Sequence, residues 1–151
     1  MIEPLRISFE VACGVDHAFS TWTARTSAWW PRAATMSGEA DVDVVFEPRV
    51  GGRVFERTAG GREFVWGEVT AWEPPRRIGY LWHIATDRDS ATDVEIVFVE
   101  VATTTTRVDI EHRGWERLGA ERAQPWRDAN RAGWDGVLPA FIQACAGSGS
   151  A

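Results

Sequence analysis

The chain has 151 residues and a formal net charge of -6 at pH 7, with a sequence pI near 5.1. An acidic chain lacks the basic patch that nucleic-acid binding normally requires, so we expect no nucleic-acid partner. This length is typical of one domain, and a hydrophobic fraction of 44% supports a buried core.

The first third of the chain predicts one strand and two short helices. Apolar residues alternate with polar ones over 5–11, which indicates a strand with one wet face. Asp16 suits the N-cap of a short helix that runs through Trp22. Ser27 suits the N-cap of a second short helix, which ends before Pro31.

Six further strands are predicted from alternating apolar residues and from the turn residues between them. Their ranges are 41–47, 53–57, 63–72, 78–84, 94–98 and 108–112. In strand 63–72 both alternating sets contain large apolar residues, so its inward face stays open. The short connections favour an antiparallel sheet.

A long amphipathic helix is predicted over 125–145, with Asn130 at the upstream end of its apolar face. That face consists of Trp134, Val137, Leu138, Phe141 and Cys145. Pro125 suits the first turn and Gly147 the exit, whereas Pro139 falls inside the helix on the face opposite the apolar one. Residues 1–146 are expected to form one domain, and 147–151 a flexible tail.

This order of elements predicts an α+β fold. We expect a curved antiparallel sheet of about seven strands around the long C-terminal helix, with two short helices after the first strand. A curved sheet can hold such a helix and still leave a cavity beneath it.

Short motifs in a fixed order resemble a known superfamily. They are Trp29-Trp30, Gly51-Gly52-Arg53, Trp66-Gly67-Glu68-Val69, Pro74-Pro75-Arg76-Arg77-Ile78, Tyr80-Leu81-Trp82, Thr106-Arg107, Ile110-Glu111-His112 and Gly133-Trp134. Together they resemble the helix-grip (Bet v 1-like, START-like, SRPBCC) superfamily, in its bacterial branch related to the C-terminal domain of the activator of Hsp90 ATPase. The resemblance implies a cavity for apolar small molecules between the sheet and the last helix. It implies no single reaction, because the superfamily includes carriers, cyclases, dehydratases, hydroxylase subunits and a chaperone cofactor.

The chain contains nine Trp residues, an unusual number for its length. Rigid aromatic side chains suit the wall of an apolar cavity, but they could equally fill the core outright. The candidate ligand-binding residues are Trp30, Phe55, Tyr80, Trp82, His112, Trp134 and Phe141.

Two polar features each have a functional and a structural interpretation. His112 ends a strand on its apolar face, where it would contact a ligand or act as a general base, or else be satisfied by the backbone or by the surroundings of Trp134. Arg53 and Glu68 form either a buried charge pair in the cavity or an ordinary cross-strand surface pair.

No metal and no other cofactor are expected. The three His residues are scattered, and Cys13 and Cys145 have no zinc spacing, so we expect ordinary thiols rather than ligands or a disulfide. The N-terminus lacks the features of a signal peptide and no apolar run is long enough to cross a bilayer, which predicts a cytoplasmic location and no membrane partner.

The leading hypothesis is binding of an apolar small molecule in a cavity between the sheet and the C-terminal helix. One alternative is a cyclase or dehydratase that uses His112 as its acid–base; the catalytic residues are otherwise open. The other is a chaperone-associated interaction module resembling the Hsp90 ATPase activator domain. A homodimer and a chaperone contact are left open. A cavity favours the first two hypotheses, whereas a filled core with an exposed apolar patch favours the third.

Overall fold

Seven strands form one antiparallel sheet in the computed structural model, which describes residues 2–84 and 86–148. The strands are β1 (Leu5–Val11), β2 (Asp43–Phe46), β3 (Arg53–Arg57), β4 (Glu63–Glu73), β5 (Arg77–Trp82), β6 (Thr92–Ala102) and β7 (Thr105–Arg113). Their order across the sheet is β1-β7-β6-β5-β4-β3-β2. The predicted α+β fold is confirmed; residues 149–151 of the predicted tail lie outside the described residues.

Among the described residues, two α-helices and four short 3-10 turns complete the fold. The helices are α1 (Val15–Thr23) and α2 (Ala120–Ser148), and the 3-10 turns are Thr26–Ala28, Arg32–Ala34, Arg88–Ser90 and Trp115–Leu118. In the described part of the chain, no helix is both long and apolar enough to cross a membrane.

The ends of the helices differ from the predicted ones. Gly14 occupies the N-cap of α1, and Asp16 lies in the first turn, where its charge still favours the positive end of the helix dipole. The second predicted helix is only a 3-10 turn. The long helix α2 starts at Ala120, so Pro125 lies in its second turn, and Gly147 lies inside its last turn. Its start is fixed by Gly119, whose carbonyl accepts the first helical hydrogen bonds.

Two irregularities in the pairing of β4 explain why simple alternation could not assign its inward face. Its pairing shifts once against β3, where Trp66 has no partner, and once against β5, where Thr70 has none. Each bulge inserts one residue and reverses the alternation. As a result Trp66, Val69 and Trp72, spaced three apart, all pack against the core.

The core lies between the inner face of the sheet and the two helices. The predicted apolar face of α2 is buried at every position, while Pro139 is exposed on the opposite side. Phe141 meets the ring of Trp22 at 4.9 Å and that of Phe9 at 6.2 Å, which joins α2 to α1 and β1. Aromatic burial of this kind contributes roughly 1.5–3 kcal/mol per side chain.

Arg53 and Glu68 do not form a buried pair. They are opposite each other in the register of β3 and β4, but both side chains are substantially exposed. Arg53 pairs with Glu63 and Glu47, and Glu68 pairs with Arg88. The interpretation of a charge pair inside the cavity is therefore wrong.

We expect Gly67→Ala to destabilise the protein by about 1–3 kcal/mol or more, measured as a lower urea midpoint. A Cβ at this position would lie 1.8 Å from the carbonyl oxygen of Leu81, so β4 and β5 would have to separate. Gly136→Ala is the matched control, because its Cβ meets nothing within 4 Å and Ala favours a helix. An unchanged midpoint for Gly67→Ala would contradict this close approach.

Candidate functional site

A cleft of about 310 Å³ opens between β5, the first half of α2 and the segment around the second 3-10 turn. It is lined by Trp30, Ala33, Ala34, Thr35, Met36, Tyr80, Trp82, Ile84, Trp126, Ala129, Asn130, Gly133, Trp134 and Val137. Its size is at the lower end of the range of about 300–1,000 Å³ found for small-molecule sites, and its wall is mainly apolar.

Aromatic rings form the walls of the cleft and are held by other aromatic rings behind them. Trp30 lies 6.2 Å from Trp82 between ring centroids and rests on Trp66 at 5.1 Å. Trp134 stacks on Trp22 at 6.0 Å with an interplanar angle of 28°. The two interpretations of the Trp set therefore both apply: some line the cleft and others fill the core.

Of the seven candidate ligand-binding residues, four lie together in the lining: Trp30, Tyr80, Trp82 and Trp134. Phe141 is instead packed between Trp22 and Trp29 in the core. Phe55 is on the opposite face of the sheet, where the guanidinium groups of Arg53 and Arg57 lie 4.2 and 5.2 Å from its ring centroid. The structure thus separates Phe55 and Phe141 from the cleft.

His112 is fully buried behind the cleft wall and is held by hydrogen bonds on both ring nitrogens. The Trp134 indole donates to Nδ1 at 3.1 Å, so the neutral ring carries its proton on Nε2. Nε2 lies 2.6 Å from the hydroxyl of Thr92, which in turn donates to the Trp82 carbonyl at 3.3 Å. Burial lowers the pKa of His112 to about 3. The structural interpretation of this residue is supported, and neither nitrogen is free for a ligand.

Glu56 is a buried carboxylate that the sequence analysis did not identify. Its oxygens accept hydrogen bonds from the Trp66 indole at 2.9 Å and from the backbone N–H groups of Met36 and Ser37. Burial alone would raise the pKa of Glu56, but these hydrogen bonds, with that of the Ser37 hydroxyl, outweigh it and lower the pKa. The sequence contains one indication of this burial: Glu56 lies two residues after Val54, so both side chains are on the same, inward face of β3.

Two further lining residues on α2 were also missed as ligand contacts. Trp126 and Asn130 precede Trp134 by eight and four residues, so helical spacing places all three on one face. The predicted helix started only at Pro125, which left Trp126 at a frayed end rather than in the second turn. The earlier start of α2 brings it into the cleft wall.

Metal chemistry finds no support in this site. Within the described residues, no group of three or more His, Cys, Asp and Glu side chains could hold a metal ion. Cys13 and Cys145 are buried free thiols, and burial raises the pKa of each.

A seven-stranded antiparallel sheet that packs around a long C-terminal helix beside an apolar cleft defines a protein of the helix-grip, or SRPBCC, class. Residues 13–147 match the profile of the activator of Hsp90 ATPase homolog 1-like proteins, and the chain belongs to this family. Proteins with this fold typically bind apolar ligands. No curated protein matches the chain.

Solved structures extend this comparison. Txn09, described as an anthrahydroquino-γ-pyrone synthase complexed with SUM, is similar at 35% identity and a TM-score of 0.58, over 78% of this chain and 80% of that one. CalC from Micromonospora echinospora, described as a self-sacrificing resistance protein, is similar at 25% identity and a TM-score of 0.76, over 97% and 96%. PFC0360w from Plasmodium falciparum, described as an HSP90 activator, is 20% identical with a TM-score of 0.53, over 74% and 73%. This last likeness shows the fold alone.

We expect the stability of the protein to fall as the pH decreases from about 6.5 toward 3, in part because of His112. In that window the unfolded imidazole binds a proton and the buried native one, with its pKa lowered to about 3, does not. Each pH unit then costs up to about 1.4 kcal/mol of unfolding free energy. Urea midpoints measured across this range test it, and His112→Asn should be less stable at neutral pH but have a flatter slope. Equal slopes in parent and variant would contradict the assignment.

We expect Glu56→Gln to destabilise the protein by about 1–3 kcal/mol near neutral pH, because the amide NH₂ would face a buried N–H donor. Hydrogen exchange at Met36 or at Ser37 should accelerate, because the two amides use different oxygens and the Gln side chain keeps only one acceptor. Glu39→Gln is the matched control: this exposed carboxylate pairs with Arg62, and such surface pairs contribute little. If both amides stay protected in Glu56→Gln, the assigned hydrogen bonds to the Glu56 carboxylate are contradicted.

Because the folded pKa of Glu56 is lowered, its contribution to stability is present above the ordinary carboxyl pKa of about 4.5 and is lost as the pH falls below it. The Glu56 effect thus begins near pH 4.5, whereas the His112 effect begins near pH 6.5. The His112 variant should therefore flatten the profile from pH 6.5 downward, and the Glu56 variant only its more acidic part.

Proposed function

We propose that the protein binds an apolar small molecule in the cleft between β5 and α2. The observation that carries the proposal is the grouping of four Trp side chains, Trp30, Trp82, Trp126 and Trp134, around one cavity. Aromatic side chains supply a large apolar contact area at a small cost in conformational entropy. A cavity with such a wall favours a ligand with flat apolar faces.

The comparisons support a small-molecule role. Txn09, at 35% identity, is named for the synthesis of a fused-ring aromatic compound. The family to which the chain belongs typically binds apolar ligands, which agrees with the apolar wall of this cleft. The ligand of this chain is therefore sought among neutral ring compounds.

A cyclase-type enzyme is the second candidate, and the likeness to a synthase favours it. His112 does not fit the role of its acid–base, because both ring nitrogens are engaged and burial holds the imidazole neutral. The hydroxyl of Tyr80 and the amide of Asn130 remain as polar groups in the lining. Conversion of a bound ring precursor by the purified protein, abolished in Tyr80→Phe, would favour this candidate.

A chaperone-associated module is less well supported. The large apolar side chains that are exposed among the described residues lie in different elements: Met36, Val50, Val65, Val101 and Ile142.

We expect planar aromatic compounds to quench the Trp fluorescence in a saturable way, because they would pack on the indoles of the cleft. Trp82→Leu and Trp126→Ala should each weaken the affinity about tenfold, as expected for the loss of roughly 1.4 kcal/mol of contact. Trp126 is partly buried against the core, so the folding of Trp126→Ala is measured alongside its affinity.

Trp72→Leu is the matched control. Trp72 is half-buried like Trp82, but it packs on Phe19 and does not line the cleft. If no compound gives saturable quenching, or if Trp72→Leu weakens binding as much as Trp82→Leu, binding in this cleft is excluded.

A further inference from the structure

The cleft has few polar side chains, and they differ in whether their hydrogen-bonding groups already have partners. Among the lining side chains, Thr35, Tyr80 and Asn130 carry a hydroxyl or an amide. The Thr35 hydroxyl is engaged, since it donates to the Arg32 carbonyl at 2.7 Å and accepts from the Gly38 N–H at 3.0 Å. Tyr80 and Asn130 are therefore the lining hydroxyl and amide that can still recognise a polar group of a ligand.

Tyr80 presents a hydrogen-bond donor from β5. Its side chain is 1% exposed, and its ring is fixed by Phe46 at 5.4 Å and Trp82 at 5.9 Å between centroids. The Trp22 indole N–H lies beside this hydroxyl and can only donate, so the Tyr80 O–H itself has no acceptor among the described residues. Burial raises the pKa of Tyr80 well above its ordinary value, only partly opposed by Trp22, so the hydroxyl keeps its proton.

Asn130 presents an acceptor from α2. Its Nδ2 donates to the Trp126 carbonyl at 2.9 Å, one helical turn back. Its Oδ1 has no partner among the described residues. This oxygen remains accessible to water in the open cleft, so a ligand donor that reaches it would take the place of a water hydrogen bond.

No Asp, Glu, Lys, Arg or His belongs to the described lining. A charged ligand would have to leave water without a counter-charge, which is strongly unfavourable. The cleft therefore selects a neutral molecule.

Building on the proposed function, we propose that the ligand is a neutral, planar aromatic ketone with a phenolic hydroxyl. Its carbonyl accepts a hydrogen bond from Tyr80, its phenol donates to Asn130, and its ring faces pack between the indoles of the cleft. Tyr80 and Asn130 then determine specificity, whereas the Trp side chains supply affinity for any flat apolar ring.

Four ring compounds of nearly equal shape separate these contributions: fluorene, fluorenone, hydroxyfluorene and hydroxyfluorenone. Fluorene has neither polar group, the next two have one each, and the last has both. Each is titrated against the parent, Tyr80→Phe and Asn130→Leu, with Trp quenching and calorimetry as readouts. A fluorenone with a carboxylate in place of the phenol tests the requirement for neutrality.

We expect fluorenone to bind the parent about tenfold more tightly than fluorene, and Tyr80→Phe to abolish this difference while fluorene affinity stays within about twofold. Asn130→Leu should abolish the advantage conferred by the phenol in the same way. The carboxylate compound should bind more weakly than fluorenone.

Equal binding of fluorene and fluorenone by the parent would overturn the inference and leave the proposed function intact. An advantage for only one of the two polar groups would overturn the two-point assignment. Equal weakening of all four compounds in Tyr80→Phe would show a packing role instead. If none of the four binds, the proposed function fails as well. The parent series alone decides the first and last outcomes, so a variant that does not fold does not block the test.

Discussion

The hydrogen bond from the Trp134 indole to Nδ1 of His112 fixes where the long helix crosses the sheet. It is buried, and it connects the middle of α2 to the end of β7. Breaking it would leave two polar groups without partners in an apolar core, at a cost of about 1–3 kcal/mol. Thr92 extends the contact to the backbone of Trp82. The position of the helix and the position of β5 are therefore set by the same chain of hydrogen bonds.

The Glu56 carboxylate plays the corresponding part on the other side of the cleft. Met36 and Ser37 follow a 3-10 turn, and their backbone N–H groups donate to this carboxylate. A buried carboxylate without a cation is costly unless its oxygens are fully hydrogen-bonded. Here backbone N–H groups and the Trp66 indole meet that requirement. The negative charge consequently fixes the segment around Met36, which forms one wall of the cleft, at a defined distance from the sheet.

Sequence patterns predicted the fold because most strands keep strict alternation and α2 keeps one apolar face. They failed where a local insertion or an atypical residue broke the rule. In β4 the bulge residues Trp66 and Thr70 convert a two-residue repeat into a three-residue one. In β3 the candidate ligand-binding residue Phe55 lies on the outer face and the charged Glu56 on the inner one, which the rule of apolar residues inside does not predict. This arrangement is stable because guanidinium groups cover Phe55 and N–H donors surround Glu56.

The hydrogen bonds of His112 and Glu56 together fix the walls of the cleft before a ligand binds. One wall is Trp134 on α2 and another is Trp82 on β5, and the His112 chain links both. The third wall contains Trp30, which rests on the same Trp66 ring whose N–H binds Glu56. Every wall is thus attached to a buried polar group whose geometry is specific. Binding to such a site costs little free energy for ordering side chains, so affinity depends on how well a ligand fits the fixed rings and the polar groups of Tyr80 and Asn130.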